Sequence, residues 1–270
     1  MTLQSLMSPI NKDELLNVAI EAALAASNLV MEASDRPRVA NHKGITDLVT
    51  ETDLKSEKTI KAIIRSFYKD HTILAEETGQ DTNISDYLWI IDPLDGTTNF
   101  VHGYPSFAIS IGLFYKNEPL VAVVVEMPNM RMYTAIKGQG AWCEGKNINC
   151  SDTKSLERSL LVTGFGYEHG ENWDNNMNLF KQFTDDTQGV RRLGAAAVDI
   201  CHVAKGVADG FWEYDLKPWD TAAGILIAKE AGCMVTDLSG NQFDINNNNI
   251  LITNGHIHQN MVNNIERYLN

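Results

Sequence analysis

Two aspartates end a strongly apolar run in the stretch WIIDPLDGTTNF. Asp92 closes the run, Pro93 follows it, and Asp95 comes three positions after Asp92. Because proline has a fixed φ and no amide hydrogen, we expect Pro93 to end the strand and to form a rigid turn that aims both carboxylates at one point. No Lys or Arg occurs in residues 71–115. The charge that offsets these carboxylates must therefore come from elsewhere in the fold or from a bound ion.

The residues around this turn favour a metal-assisted reaction on a phosphate group. Oxygen-only ligands suit a hard cation, Mg²⁺ ahead of Ca²⁺ or Mn²⁺, and we expect the carbonyl of Leu94 to face the same point as the carboxylates. The segment Gly96-Thr97-Thr98 offers backbone N–H groups at a predicted helix start, and such groups suit an anion. The simpler alternative is that the two acids cap a turn and the following helix, since isolated D-x-x-D pairs are common.

Other acids stand at comparable places in the chain. The run ILAEETG ends with Glu76 and Glu77, and KPWDTAAG places Asp220 near a predicted helix start after Pro218. Glu213 lies in the aromatic strand GFWEYD. A lone Asp in a first helical turn is more often a cap or a partner of the helix dipole, and Glu213 alone would be a solubilising residue on an edge strand. A site and a purely structural role both remain open for these acids.

The elements that must position these acids begin with an α+β half. Apolar residues at helical spacing predict a long helix over about residues 13–32, and a second helix over residues 51–68 opens with Thr50 and Asp53 spaced as a capping box. Between the two helices, residues 36–50 break the periodicity and predict an exposed loop. The predicted strands are TILAEE, YLWIID and an antiparallel meander of SFAISIGLFY, PLVAVVVEM and RMYTAIKG.

An alternation of strands and helices predicts an α/β second half. The composition turns polar around residues 150–156, so we predict two domains, residues 1–152 and residues 153–270. The predicted strands of the second half are SLLVTGF, GVRRLG, DGFWEYD, CMVTD and NILITN, and its helices are residues 173–183, AAAVDICHVAKG, PWDTAAGILIAKEAG and a last one from about residue 259.

Composition narrows the class of protein. The chain has 270 residues, 44% of them hydrophobic, and a formal charge of −13, so it can bury a sizeable core and lacks the basic balance that nucleic-acid binding requires. We expect no signal peptide and no membrane partner, because no apolar run approaches the roughly 20 residues that span a bilayer. The four cysteines form no C-x-x-C pair. This favours reduced thiols in the cytoplasm, with Cys201 and Cys233 as inert core residues.

Four segments together resemble the inositol monophosphatase family of lithium-sensitive, Mg²⁺-dependent sugar phosphatases. WIIDPLDGTTNFVHGYPSFAISIGL is similar to the family's first signature and WDTAAGILIAKEAGC to its second, while DLVTETD and LAEETG match its supporting acidic segments in the same order. The likeness covers roughly residues 13–240. It implies a layered α-β-α-β-α sandwich, an α+β half followed by an α/β half, with the active site between the halves. It also implies a homodimer.

The resemblance implies a set of metal ligands drawn from both halves of the chain. The expected ions are two or three Mg²⁺ per active site, with Mn²⁺ as a substitute and Li⁺ and Ca²⁺ as inhibitors. The implied ligands are Glu76, Asp92 and the carbonyl of Leu94 for the first metal, Asp92, Asp95 and Asp220 for the second, and Asp53 with Glu76 for a loosely held third.

The resemblance also implies catalytic residues and substrate contacts. Thr97 and Glu76, with Asp53 nearby, would direct the attacking water, and the amides of Gly96 and Thr97 would hold the phosphate. The implied substrate contacts are Asp95, Gly96, Thr97, Gly194, Ala195, Ala196, Glu213 and Asp220.

The implied reaction is Mg²⁺-dependent hydrolysis of a small phosphomonoester by metal-activated water, without a covalent phosphoenzyme. Inositol monophosphate is the leading substrate. NADP(H), fructose 1,6-bisphosphate and 3′-phosphoadenosine 5′-phosphate are alternatives, because Phe165 and Tyr167 stand where animal relatives carry small polar residues. A second departure, Gly232-Cys233 where many members have Gly-Gly, is expected to alter only a turn. A remote alternative is a non-catalytic regulator that binds metal and phosphate.

Overall fold

The computed structural model describes residues 11–34, 40–42, 48–167 and 169–269. The helices in these ranges are α1 (Lys12–Ser34), α2 (Glu51–Phe67), α3 (Thr97–His102), α4 (Glu171–Asp186), α5 (Ala196–Ala204), α6 (Pro218–Glu230) and α7 (His258–Leu269). The strands are β1 (Ala40–His42), β2 (Leu48–Thr50), β3 (Thr72–Ala75), β4 (Gly79–Gln80), β5 (Tyr87–Asp95), β6 (Phe107–Tyr115), β7 (Glu118–Met127), β8 (Arg131–Ile136), β9 (Ala141–Cys143), β10 (Lys146–Ile148), β11 (Leu160–Thr163), β12 (Gly189–Arg191), β13 (Gly210–Tyr214), β14 (Met234–Thr236) and β15 (Asn249–Thr253).

Most strands belong to two large sheets. The first sheet has the order β10-β9-β8-β7-β6-β5-β3-β4 and contains the predicted antiparallel meander β6–β8. The second has the order β12-β11-β13-β15-β14, with β11 parallel to both of its neighbours. The predicted loop over residues 36–50 was wrong in part, because β1 and β2 pair antiparallel there. The predicted domain boundary falls between β10 and β11, and a division into two domains stays a prediction.

Alternate residues of the central strands face opposite layers. Trp89 of β5 packs in the cluster formed with α1 and α2, whereas Ile90 packs with α5 and α6. In the second sheet, Phe211 of β13 faces α5 and α6, and Trp212 packs with α4 and α7. The layers therefore run α1/α2, first sheet, α5/α6, second sheet, α4/α7. This confirms the predicted five-layer sandwich.

Helix α1 confirms the predicted first helix and extends it slightly at both ends. By length and composition alone it could cross a bilayer, which corrects the expectation that no segment approaches that size. Its apolar side is buried in the fold, from Leu15 through Ala22 to Val30. We therefore interpret α1 as a core helix packed on the first sheet.

Two glycines allow α6 to lie unusually close to its neighbours. A Cβ added to Gly112 of β6 would lie 2.9 Å from the carbonyl carbon of Ala222 on α6. On the other side, a Cβ added to Gly224 of α6 would lie 2.9 Å from Cγ2 of Ile200 on α5. Because real Cβ contacts are longer than this, the absence of both side chains fixes how deeply α6 sits between the first sheet and α5. This matters for the site, since Asp220 stands in the first turn of α6.

Strand β5 does not end where the sequence suggests. It continues through Pro93 to Asp95, with an irregular register against β6, where Asp92 pairs with Ser110 and Asp95 with Ala108. Three steps on β5 therefore oppose two on β6, as in a β-bulge. The expectation that Pro93 ends the strand was wrong, because a bulge tolerates a residue that cannot donate a ladder hydrogen bond.

Candidate active site

The two aspartates of β5 flank this bulge. Asp92 is buried, and its Oδ1 accepts a 3.0 Å hydrogen bond from the amide of Leu94. Asp95 is 8% exposed and directly precedes Gly96. Gly96 is the residue before helix α3 and has a φ of +82°. A Cβ at Gly96 would also lie 3.1 Å from the Cβ of Ala195. The turn thus needs glycine both for its backbone conformation and for close approach to the second half of the chain.

Asp95 forms a direct link to that second half. Its two carboxylate oxygens accept hydrogen bonds from the amides of Ala196, at 3.2 Å, and Ala197, at 2.8 Å. These amides lie in the first turn of α5, where they have no partner within the helix. The carboxylate therefore acts as an N-terminal cap supplied from a distant part of the chain. Sequence analysis assigned Asp95 to metal and substrate and missed this role, because no local pattern connects residues so far apart.

Asp53 lies at the third position of α2 and is fully buried. The predicted capping box is confirmed: the amide and hydroxyl of Thr50 both donate to Asp53 Oδ2. Its other oxygen, Oδ1, accepts a 2.8 Å hydrogen bond from the hydroxyl of Thr97. That hydroxyl oxygen also lies 3.1 Å from the carbonyl oxygen of Leu94. Asp53 thus joins the start of α2 to the start of α3, and burial raises its pKa despite these hydrogen bonds.

The second half contributes Asp220 and Glu213. Oδ2 of Asp220 accepts a 2.6 Å hydrogen bond from the amide of Lys217, so this residue also closes its own helix start. Glu213, on β13, is 7% exposed. A Cβ added to Gly164 would lie 2.2 Å from a carboxylate oxygen of Glu213. Only glycine therefore leaves room for the Glu213 carboxylate where it stands.

A cleft of about 330 Å³ brings the predicted residues from both halves together. The predicted site residues that line it are Glu76, Asp95, Gly96, Gly194, Ala195, Ala196, Glu213 and Asp220. Phe165 and Tyr167, at the departures from the family pattern, line it as well. The other predicted site residues, Asp53, Asp92, Leu94 and Thr97, do not line the cleft and are joined to one another by the hydrogen bonds described above.

The acids of the cleft lie close enough to influence one another. Burial, followed by the neighbouring charges of Glu76, Asp95 and Asp220, raises the pKa of Asp92 well above its usual range. Burial raises the pKa of Asp95 and of Asp220 to about 7. Among the described residues, neither Asp92 nor Asp95 forms an ion pair with a basic side chain. Their ionised forms are therefore costly in the protein alone.

This donor set fits a hard divalent cation. It consists of oxygen atoms only, is largely buried, and lacks a basic partner for its innermost members, so a cation would supply the missing charge. In the part of the chain that is described, no three His, Cys, Asp or Glu side chains are already arranged to hold an ion. The carboxylates therefore lie near one another but are not yet arranged as metal ligands, and binding of a cation would have to draw them closer together.

Three residues of the site were not identified from the sequence. Arg192 and Lys217 line the cleft and bring positive charge to its second-half wall. Nδ2 of Asn99 donates to the carbonyl oxygens of Ser106, at 2.6 Å, and Leu193, at 2.7 Å. Asn99 thereby fixes the loop that carries the predicted substrate contacts. These roles depend on tertiary contacts, and the only local signal was the adjacency of Asn99 and Arg192 to segments already singled out.

Asp199 on α5 was also passed over. It is fully buried, and within the described ranges neither of its carboxylate oxygens has a hydrogen-bond partner. Burial, followed by the charges of Glu213 and Asp95, raises its pKa well above the usual range. Burial without a hydrogen-bond partner therefore disfavours the ionised form of Asp199. It was not singled out because nothing in the sequence distinguishes Asp199 from an ordinary polar residue on an apolar helix.

Comparison with known proteins defines the class. A solved structure of inositol monophosphatase from Anabaena (Nostoc) sp. PCC 7120 superposes with a TM-score of 0.88 at 41% identity, over 96% of this chain and 97% of that one. Phosphatase IMPL1, chloroplastic, from Arabidopsis thaliana is 52% identical over 92% of this chain and 69% of its own length. Inositol-1-monophosphatase from Synechocystis sp. is 44% identical over 93% of this chain and 88% of its own length.

The fold and the cleft thus define a phosphoric monoester hydrolase with a layered sandwich architecture. The family model of the inositol monophosphatase family matches residues 11–270. The chain belongs to this family, whose members are metal-dependent. The resemblance noted in the sequence is therefore confirmed.

Proposed function

We propose that the chain hydrolyses small phosphomonoesters in a Mg²⁺-dependent reaction, with inositol monophosphate as the leading substrate. The observation that carries this proposal is the cleft, where Glu76 and Asp95 from the first half meet Asp220 from the second. Membership of the inositol monophosphatase family supports the reaction class. The names of the Synechocystis relative and of the Anabaena structure support inositol monophosphate as the substrate.

We assign the proposed metal ligands to the acids at the bottom of the cleft. Glu76, Asp92 and the carbonyl of Leu94 would hold one Mg²⁺, Asp92, Asp95 and Asp220 a second, and Asp53 with Glu76 a weaker third. Bound Mg²⁺ supplies Lewis-acid stabilisation of the phosphate charge and activation of water. The raised pKa values of Asp92 and Asp95 support this assignment, because a buried acid pair without a basic partner is stabilised by a cation.

The residues of the chain would position the reactants. Thr97 gives its hydroxyl hydrogen to Asp53 Oδ1, so its lone pairs can accept a hydrogen bond from the attacking water, which Glu76 would also orient. The amides of Gly96 and Thr97 would hold phosphate oxygens, since Gly96 lines the cleft at the start of α3. Correct alignment of water and phosphate provides a large part of the rate enhancement in such reactions.

The substrate's alcohol part would bind against the second half. Gly194, Ala195 and Ala196 line the cleft next to Glu213, and a carboxylate can accept hydrogen bonds from vicinal hydroxyls. The ring of Phe165 lines the same wall and would pack on the apolar face of a sugar or cyclitol. This arrangement suits a small polyol phosphate.

A second candidate substrate class is the sugar bisphosphates, such as fructose 1,6-bisphosphate. Arg192 and Lys217 line the cleft on its second-half wall, where they could pair with a second phosphate group. A monophosphate of inositol has no group that needs both cations. NADP(H) and 3′-phosphoadenosine 5′-phosphate belong to the same comparison because both carry additional phosphates.

A substrate panel tests the proposal. We expect Mg²⁺-dependent phosphate release from inositol 1-phosphate to exceed release from fructose 1,6-bisphosphate, NADP and 3′-phosphoadenosine 5′-phosphate, and EDTA to abolish all of it. Asp95→Asn should remove this activity, whereas Asp152→Asn, outside the cleft, should leave it unchanged. If the wild type instead prefers fructose 1,6-bisphosphate and Arg192→Gln loses this preference, the second candidate substrate class, the sugar bisphosphates, would be established. Full activity of Asp95→Asn would refute the site. Binding of Mg²⁺ and phosphate without turnover of any substrate would favour a regulator.

We also propose that the protein acts in the cytoplasm as a homodimer without a nucleic-acid or membrane partner. Its charge of −13 supports the absence of a nucleic-acid partner, and the packing of α1 in the core supports the absence of a membrane partner. We propose Li⁺ and Ca²⁺ as inhibitors and Mn²⁺ as a substitute metal. Light scattering of the purified chain would test the dimer, since a monomer mass would contradict it.

A further inference from the structure

Cys150 and Cys233 are distant in sequence and adjacent in the fold. Cys150 follows β10 and donates a 3.0 Å backbone hydrogen bond to the carbonyl oxygen of Ala231, just beyond α6. Its Sγ lies 3.8 Å from the position that a Cβ on Gly232 would occupy. The Cys150 side chain packs against the buried cluster that contains Cys233. All four cysteines are free thiols in the structure, so this pair is poised but not bonded.

The two thiols have different environments. Cys150 is partly exposed, and its Sγ lies 3.8 Å from the carbonyl oxygen of Asn254. Cys233 is 8% exposed. The neighbouring Cys233 thiol lowers the pKa of Cys150 to about 7, and Cys150 in turn raises the pKa of Cys233. Cys150 therefore combines the accessibility and thiolate character of an attacking cysteine, with Cys233 as the resolving partner beside it.

We propose that Cys150 and Cys233 form a redox-active dithiol that closes to a disulfide in the presence of a peroxide. The Cys150 thiolate attacks one oxygen of the peroxide, the O–O bond breaks, and a sulfenic acid forms while hydroxide leaves and is protonated. The thiol of Cys233 then attacks the Cys150 sulfur, forming the S–S bond and releasing water. The peroxide is reduced and the two thiols are oxidised by two electrons. An external dithiol reverses the reaction by exchange.

The other two cysteines do not share this arrangement. Cys143 and Cys201 are buried, and burial is the first cause of the raised pKa of each thiol. They lack the accessibility that favours oxidation. The expectation that Cys233 is an inert core thiol is correct about its burial, but it does not take the neighbouring Cys150 into account. Cys150 was not singled out because the spacing of the pair follows no short motif.

The disulfide would tie together parts of both halves of the chain. Cys150 precedes the first strand of the second sheet, and Cys233 follows the end of α6, whose first turn carries Asp220. Closing such a long loop restricts the unfolded chain, so the oxidised protein should be more stable than the reduced one. This inference depends only on the thiol pair and stands whether or not the proposed substrate is correct.

Thiol counting on the full chain tests the proposal. The reduced protein is treated with hydrogen peroxide, and its remaining thiols are then labelled with N-ethylmaleimide in denaturant. Intact mass spectrometry gives the number of labels per chain. We expect four labels before oxidation and two fewer afterwards, with full recovery after dithiothreitol. Cys150→Ser and Cys233→Ser should each prevent the paired loss, whereas the control Cys143→Ser should retain it. Peptide mapping should identify a Cys150–Cys233 disulfide.

A thermal melt of the oxidised wild type provides a readout that needs no variant. We expect a Tm roughly 5–10 °C above that of the reduced protein, reversed by dithiothreitol. Retention of all four labels, oxidation of Cys150 only to the sulfinic acid, or paired loss in Cys150→Ser would each overturn the proposal.

Discussion

We predict that Gly112→Ala lowers both stability and activity, because α6 lies in close contact with the first sheet at this residue. The added Cβ would lie 2.9 Å from the carbonyl carbon of Ala222 and 3.0 Å from the amide nitrogen of Ala223. Both atoms belong to the backbone of α6, so no side chain can rotate away. Carbon atoms in contact prefer about 3.5–4.0 Å, so α6 must move outward by roughly 0.5–1 Å.

The cost of this movement follows from its geometry. Overpacking of a tight core costs about 1–3 kcal/mol. For a chain of 270 residues, 1 kcal/mol corresponds to about 2 °C in Tm, so we expect a Tm lower by about 2–6 °C. Because α6 carries Asp220, the movement also separates this carboxylate from those of β5. Displacement of a site residue by about 1 Å costs on the order of 100-fold in rate, so activity should fall about 10- to 100-fold.

Differential scanning fluorimetry and Mg²⁺-dependent phosphate release would measure the two effects on the same preparation. Gly170→Ala is the matched control, since a Cβ there meets nothing within 4 Å and the backbone is extended. Because Gly170 is the N-cap of α4 and alanine is a poorer N-cap, we expect its stability to fall by about 1 kcal/mol or less, with wild-type activity. A Gly112→Ala protein that matches wild type in both Tm and rate would refute the argument that this contact sets the position of α6. Loss of stability with full activity would show that Asp220 tolerates the movement.

Three further predictions concern the cleft itself. In EDTA, Tm should fall as pH rises from about 4 to about 7, because burial raises the pKa of Asp95 and Asp220 to about 7 and in this range the unfolded chain loses protons that the folded protein retains. Mg²⁺ at pH 7 or above should restore Tm, and a flat profile would count against the effect. Thr97→Val should lower kcat by about 100-fold or more with a smaller change in KM, whereas Thr97→Ser should retain most of the rate. Gly164→Ala should raise KM because it displaces the Glu213 carboxylate, and kinetics identical to wild type would contradict that position of the carboxylate.

The parts of the fold that sequence predicted correctly are those that short-range patterns determine. The capping box of Thr50 and Asp53 needs only residues three apart, and it is present. The meander β6–β8 has strands separated by short turns, and β6 and β7 are buried along almost their whole length, as expected for strands covered on both faces. The alternation of strands and helices in the second half likewise predicted its elements, although it did not predict their order in the sheet.

The parts that sequence missed depend on contacts between distant segments. The cap that Asp95 provides for α5 joins residues about a hundred positions apart. Pro93 looked like a strand terminator, and only the partner strand β6 shows that a bulge accommodates it. The buried Asp199 and the thiol pair of Cys150 and Cys233 carry no local signal at all. Such features arise when packing brings together residues that are unremarkable one by one.

The acidic residues of the candidate site were predictable as a set because each ends an apolar run or begins a helix. Their convergence was implied only by the family resemblance, because no local pattern fixes the path of α6 between the two sheets. The cleft adds what the pattern lacked: the cations Arg192 and Lys217, the carboxylate of Glu213 against Gly164, and the anchoring of the substrate loop by Asn99. We expect these features to contribute to substrate choice, since Arg192, Lys217 and Glu213 line the cleft.

The most direct test of the account is the location of divalent ions in crystals soaked with Mn²⁺. Anomalous difference maps should show peaks between the carboxylates of Asp92, Asp95 and Asp220 and beside Glu76, and the peak shared by Asp95 and Asp220 should disappear in Asp95→Asn. Soaked crystals that diffract well and show no anomalous peak among these carboxylates, or show peaks only elsewhere, would contradict the claim that acids from both halves of the chain bind common cations.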